Sequence, residues 1–273
     1  MNVSAHAPAT EHPRPRLAVS VCLLDVPAGC DGGHGRDRFL TGPLARHVDR
    51  VPVGPEMGIG SGMDGYVVES GLPGRRPPGA FAASIRGALP GLVMEEDGRL
   101  RDPDVREHFV ERLFAQARVR EFFGADWRPR DLVDFHSRNK LQILAHDPAG
   151  YRETGRIVAE SGARARAALE TGYRRAFARA LAIRPRRGRD VNALLHVLGP
   201  LSDRLDRARR HDIVEAIEAF RVGEAPLGVP IALLRRHAVG EELEYLARQT
   251  YLDPFPADLV PRLRLRPDRL SGL

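Results

Sequence analysis

Three polar side chains, His136, Asn139 and Lys140, interrupt the apolar stripe of "DFHSRNKLQILAH" (134–146). On a helix they share one broad face with Leu132, Val133, Phe135, Ile143 and Leu144, while Ser137, Arg138 and Gln142 point elsewhere. Asp131 reads as the N-cap. A lysine buried without a partner is strongly disfavoured. Lys140 therefore either snorkels at a packing edge beside a satisfied core histidine, or it meets a partner in a pocket. In the pocket reading, His136 is a general acid or base and Lys140 an electrostatic clamp. Lys140 is the only lysine among 42 basic residues, as a site needing a compact ammonium instead of a guanidinium fork would require.

Two further pairs repeat this spacing. Asn192 and His196 are four apart in "RDVNALLHVLGP", and Tyr245 and Gln249 are four apart in "EYLARQTYLDPFP". Residues four apart are neighbours on a helix surface, so His136, Asn139, Lys140, Asn192, His196 and Gln249 are expected to line one polar seam. A different chemistry is written in "GYRRAFARALAIRPRRGRD" (172–190). There Arg174, Arg175, Arg179, Arg184, Arg186, Arg187 and Arg189 face a single acid, Asp190. Guanidinium forks suit phosphate oxygens. No aromatic-interleaved RNA-binding signature accompanies the run, so binding would be read through backbone and shape. The loop at Arg184–Arg189 reads as long and exposed.

These candidates need elements to hold them. "LAVSVCLL" (17–24), "RVPV" (50–53) and "GLVME" (91–95) predict three strands. Helices are predicted over 38–48, interrupted at Gly42-Pro43, over 80–89, and over 103–123, the last capped by Asp102 with Pro103 in its first turn. Gly58 to Gly79 reads as mostly loop. The alternation gives an α/β region with a small, mainly parallel sheet. Beyond residue 125 no strand candidate remains, and helices are predicted at 132–146, 148–182, 190–209, 211–222, 229–237 and 240–250. The expected organisation is a flexible tail over 1–16, a truncated α/β domain over 17–125, an all-helical domain over 126–265 and a tail over 266–273.

The formal net charge of +6 favours an acidic partner. The bland source is GC-rich coding, which also favours arginine over lysine. No apolar run approaches a spanning length of about 18 residues, and "MNVSAHAPATEHPRPR" carries no secretory signal. The expectation is a cytoplasmic protein with no membrane partner. Cys22 and Cys30 are too few for a structural zinc site or an ordinary iron–sulfur site.

In order along the chain, "DLVDFHSRNKLQILAHDPAGYRETGRIVA", "VNALLHVLG", "AFRVGEAPLGVPIALLRRH" and "YLARQTYLDPFP" resemble a YbgA-like all-helical domain. That domain is often fused behind thiouracil-desulfidase-like domains in bacteria, and the resemblance covers roughly residues 131–256. "SVCLLDVPAGCDGGHGRDRFL", "VPVGPE" and "EEDGRLRDPDVREHFVERLF" resemble the desulfidase domain itself. The resemblance implies a [4Fe–4S] cluster held by three cysteines, with one iron open to take sulfur from a thiolated base. It also implies removal of sulfur from 4-thiouridine in tRNA, with the helical domain helping to hold the RNA. Cys22 matches the first ligand, and Glu56 falls in the segment similar to the family's Cys-Pro-Glu stretch. The second ligand position is Gly54, and the loop carrying the third cysteine is absent, its nearest remnant being "SGMDG" (61–65).

The leading expectation is a degenerate desulfidase-family protein. It binds RNA, tRNA first, without the iron–sulfur cofactor and without autonomous catalysis. The arginines hold phosphates, and the His136/Lys140 seam organises the domain or accepts a phosphate or nucleotide. Three alternatives stand beside it. One is residual desulfidation through Cys22 and Glu56. Another is chemistry at His136 and Lys140. The last is an interaction module that packs on a full-length desulfidase relative.

Overall fold

The structure, a computed structural model, describes residues 12–24, 37–53, 63–68 and 92–263. They fall into two compact units, His12–Asp126 together with the segment from Phe255, and Trp127–Pro254.

The first unit is a four-stranded sheet in the order β2-β1-β3-β4, with every neighbouring pair parallel. The strands are β1 (Arg16–Ser20), β2 (Asp49–Val53), β3 (Gly65–Val68) and β4 (Val93–Glu96). The alternation of side chains across a strand sorts the core. Leu17, Val19 and Val93 join Phe109, Val110, Leu113 and Phe114 of α2 (Pro103–Gly124) on one face. Ala18, Val53, Tyr66, Leu92 and Met94 cluster on the other. β2 lies at the sheet edge, where Pro52 removes no needed ladder bond. A short helix, α1 (Arg38–Thr41), precedes β2 and is capped by the Asp37 carboxylate, which accepts from Leu40 N at 2.8 Å.

The sheet corrects the sequence reading in two places. β1 ends at Ser20, and Val21–Leu23 form a 3-10 turn instead of more strand. β3 lies within the stretch read as loop. Gly65 leads it because a Cβ there would sit 2.6 Å from Leu113 Cδ1 and 3.2 Å from the Val93 carbonyl. The glycine that signals a loop in sequence here marks close packing of strand on helix. The helix predicted over 80–89 lies outside the described residues.

The second unit contains α3 (Pro129–His146), α4 (Pro148–Ala159), α5 (Arg166–Ala182), α6 (Arg187–Ser202), α7 (Arg207–Val222), α8 (Gly228–Gly240) and α9 (Glu244–Ala247). α3 is the central element. Leu141, Leu144 and Ala145 pack with α6, α7, α8 and Tyr251 and Leu252 on one side. Phe135 meets Tyr173 and Phe177 of α5 on the other.

Several helix limits differ from those predicted, each for a local reason. α3 begins at Pro129, whose φ is pre-set for a first turn, so Arg128 is the N-cap. Asp131 sits at the third helical position, where its carboxylate accepts from Arg128 N at 2.7 Å. The helix expected over 148–182 is two helices, broken around Ser161-Gly162. They cross so closely that a Cβ on Gly150 would lie 2.5 Å from Ala180 Cβ. The helix expected over 240–250 shrinks to α9, because Glu242 takes a left-handed φ of 55° that ends helical continuity. Among the described residues no helix is long and apolar enough to cross a membrane.

Candidate functional site

The polar face of α3 divides into two clusters. The first lies where the 249–252 segment docks. Gln249 Nε2 donates to the carbonyls of Ser137 at 3.0 Å and Tyr245 at 3.2 Å. Thr250 N donates to the Arg138 carbonyl at 3.0 Å. The Thr250 hydroxyl lies 3.1 Å from Gln142 Oε1 and 3.3 Å from Asn139 Oδ1, and Asn139 Nδ2 donates to the Phe135 carbonyl at 2.8 Å. Gln142, which the sequence places off the apolar stripe, is fully buried. The reason is that α3 is covered on two sides, so its buried arc is wider than one stripe. Lys140, half-buried, places Nζ 5.1 Å from the centroid of the Tyr245 ring, a cation–π contact.

This cluster is a clasp. Its amide N–H groups bind main chain, the amide oxygens of Asn139 and Gln142 face the Thr250 hydroxyl, and within the clasp Gln249 Oε1 has no donor among the described residues. Gln249→Ala is expected to destabilise the protein by about 2–4 kcal/mol, through the loss of two hydrogen bonds and the opening of a cavity. Urea unfolding measures the loss. A change below about 0.5 kcal/mol would show that the segment docks by its apolar residues alone. Asn192 and His196 do not join the clasp. Both are exposed on α6, because the buried side of that helix is taken by Ala193, Leu194, Val197 and Leu198.

His136 turns the other way. Its Nδ1 lies 3.1 Å from the fully buried Tyr173 hydroxyl, in a hydrogen bond whose donor depends on the ring tautomer. The ring stacks on Tyr151, at 6.5 Å between centroids, and meets Tyr173 edge-on at 5.9 Å. Burial lowers the imidazole pKa from 6.5 to about 4, helped by the nearby Lys140 ammonium. Burial alone raises the Tyr173 phenol well above its ordinary value. His136 is therefore neutral near pH 7, and it does not supply a cation for a phosphate.

The arginines have divided duties. Arg174 donates to Glu170 at 2.8 Å. Arg189 donates to the His146 carbonyl at the end of α3. Arg187 lies over the Phe220 ring at 5.6 Å and against Gly223, whose left-handed φ of 94° closes α7. The loop expected over 184–189 is short, because α6 already begins at Arg187. Arg184, Arg186 and Arg175 are exposed. Arg175 and Arg186 have no carboxylate partner among the described residues.

Sequence reading missed Arg152 and Arg156. Both are exposed on α4 without a carboxylate partner among the described residues. A groove of about 450 Å³ runs between α4 and α5, with Arg156 and Arg175 on its walls. Buried Ile157 and Gly172 meet at its centre. One end carries the Arg179–Glu153 ion pair and the other the Arg164–Glu160 pair. The four-residue spacing of Arg152 and Arg156 was available in the sequence. The approach of Arg156 to Arg175 was not, because it depends on the turn that splits 148–182 into two antiparallel helices.

In the α/β unit the strand order reverses between β1 and β3, so the carboxyl ends of these strands flank a switch point, the usual ligand position in such sheets. The backbone of Cys22 lies in the 3-10 turn leaving β1. Glu56, Gly54 and Cys30 lie outside the described residues. A [4Fe–4S] cluster ordinarily takes four ligands, usually cysteines, and the chain has two cysteines in all. The donor set does not fit the cluster in the family's manner, and no step is derived through it.

Residues 140–256 match a family described as "Protein of unknown function (DUF1722)". The chain is also 30% identical over 128 residues to "Uncharacterized protein YbgA" of Escherichia coli (strain K12), a match covering 46% of this chain and 75% of that protein. No solved structure matches. The family match leaves the four strands outside it, so the similarity is carried by the helical unit from Lys140 onward.

Proposed function

The chain belongs to the DUF1722 family, which is of unknown function, and from the helical unit we propose that it binds RNA, tRNA first, through an arginine-rich face. The observation that carries the reading is the set of guanidiniums left uncompensated on α4, α5 and the turn after them. Residues 148–190 contain eleven arginines against Glu153, Glu160, Glu170 and Asp190. Arg152, Arg156, Arg175 and Arg186 have neither a carboxylate nor a ring as partner among the described residues. Exposed cations without counter-charges gather small counterions, and a polyanion that replaces them gains from releasing its own.

Neutral His136, buried against Tyr173, and the clasp around Gln249 take structural parts in this reading. His136 ties α3 to α5, one of the elements that carry the arginines, and the clasp ties α3 to the 249–252 segment. The protein acts by contact, without chemistry of its own.

The test is binding of the purified full chain to bulk tRNA between roughly 50 and 200 mM salt, with duplex DNA as competitor. Four phosphate contacts predict a loss of affinity of about a hundredfold over that range. The combined Arg152→Gln and Arg186→Gln variant is expected to flatten the salt slope by about two contacts. No binding at the lowest salt would sink the reading and turn attention to a protein partner, a full-length desulfidase relative first.

A further inference from the structure

We propose that the groove between α4 and α5 is a binding site for a phosphate monoester, carried at the 5′ end of an RNA strand or on a free nucleotide. The proposal deepens the RNA reading by naming the group held, and it rests on that reading for the strand as source.

Three features of the groove select a terminal phosphate over the repeating phosphates of a strand. The first is charge. Glu153 and Glu160 are each matched by an arginine, Arg179 and Arg164, which leaves Arg156 and Arg175 as two guanidiniums without a carboxylate partner among the described residues. A monoester carries a charge of about −1.5 to −2 near neutral pH, whereas an internal diester carries one negative charge. Two forks therefore match the monoester.

The second is length. The groove is bounded by an ion pair at each end. A strand laid along it would displace one of those pairs, while a chain end enters from above. The third is the floor. Gly172 leaves open the space that a side chain would fill, with Ile157 Cδ1 3.8 Å from the position of a Cβ. Apolar Ile157 offers a sugar a surface to rest on and no hydrogen bond to compete for the phosphate.

Two variants separate the site from general charge. Arg156→Gln with Arg175→Gln removes both forks. Gly172→Leu fills the groove without changing any charge, and it exchanges a helix-weakening residue for a good helix former, so the unit is expected to fold. Circular dichroism confirms folding of both.

The experiment compares one short RNA bearing either a 5′-phosphate or a 5′-hydroxyl, and uridine 5′-monophosphate against uridine, each titrated into the full chain. The 5′-phosphate is expected to raise RNA affinity about tenfold, and uridine 5′-monophosphate to bind where uridine does not. Both differences should vanish in Gly172→Leu, while the salt dependence of RNA binding persists. Equal affinity for the two RNAs, with no binding of the monophosphate, would overturn the groove and leave the RNA reading intact. Binding of the monophosphate without either RNA would keep the groove and remove the RNA reading. A phosphate preference that survives Gly172→Leu would place the site elsewhere and overturn the proposal.

Discussion

Replacing Arg106 with alanine is expected to destabilise the α/β unit by about 3–5 kcal/mol, the sum of stranded buried acceptors and the cavity left by the side chain. Arg106 is 1% exposed on α2. Its Nε donates to the Leu100 carbonyl at 2.7 Å, Nη1 to the Leu263 carbonyl at 3.1 Å and Nη2 to the Arg101 carbonyl at 3.4 Å. The guanidinium carbon lies 5.1 Å from the centroid of the Phe39 ring. Burial lowers the guanidinium pKa, and the Asp37 and Asp102 carboxylates oppose that shift. Alanine would strand the buried Leu100 and Leu263 carbonyls and open the space under Phe39. Arg106→Lys should fare little better, since an ammonium has no planar fork to span separate carbonyls. Urea unfolding followed by circular dichroism gives the magnitude. Limited proteolysis gives the location, with cutting expected first within 255–263. A loss below about 1 kcal/mol would mean that the apolar contacts of Phe255, Leu259 and Leu263 hold the segment by themselves.

The second large effect is a loss of stability on acidification, traced to one ring. His136 titrates near 6.5 when unfolded and at about 4 in the folded protein. Its neutral form is favoured by the fold, so the contribution is fully present above pH 6.5. As pH falls from 6.5 to 4, the unfolded chain takes up a proton that the native ring resists, and stability drops by roughly 3 kcal/mol. Below about pH 4 both states are protonated and the drop from this group stops. Lys140 adds to the resistance, and the groups packed on the imidazole, the rings of Tyr151 and Tyr173, include no carboxylate to stabilise its cation. His136→Gln retains an amide for the Tyr173 hydroxyl and removes the titration. Unfolding free energies at pH 7 and 4.5 should differ much less in the variant than in the parent. Equal acid losses in both proteins would assign the effect to carboxylates elsewhere.

The helical half was legible because its signals are local. Apolar spacing at three and four residues acts within a single helix and needs no distant partner. The same locality explains the misses. Whether 148–182 is one helix or two depends on Gly150 meeting Ala180, a contact between residues thirty apart in sequence. β3 was hidden because Gly65 is demanded by Leu113 of the helix packed on the sheet, and nothing adjacent in the chain announces that. At the site, the four-residue spacings gave faces, and of the pairs expected to converge on α3 the structure brings Gln249 against it, at the Ser137 carbonyl. They misplaced Asn192 and His196, since spacing gives a face but not what covers it. Arginine density in sequence likewise does not say which guanidiniums are already engaged. Arg187 and Arg189 pack on Phe220 and a helix end, while Arg152, unremarked, is open.

The core of the α/β unit draws on both Leu17 to Phe114 and the late residues Phe255, Leu259 and Leu263. During synthesis, its first part must wait at the ribosome until the chain has run through all of Trp127–Pro254. The helical unit is whole by then and can fold as it emerges, since domains generally fold as units. The order of maturation is thus the reverse of the order of translation. Until the last turn is delivered, the half-built sheet exposes the apolar surface that Leu259 and Leu263 will cover, and chaperone engagement should fall in that interval. A messenger truncated after the codon for Pro254 should therefore yield a folded helical unit attached to an aggregation-prone sheet.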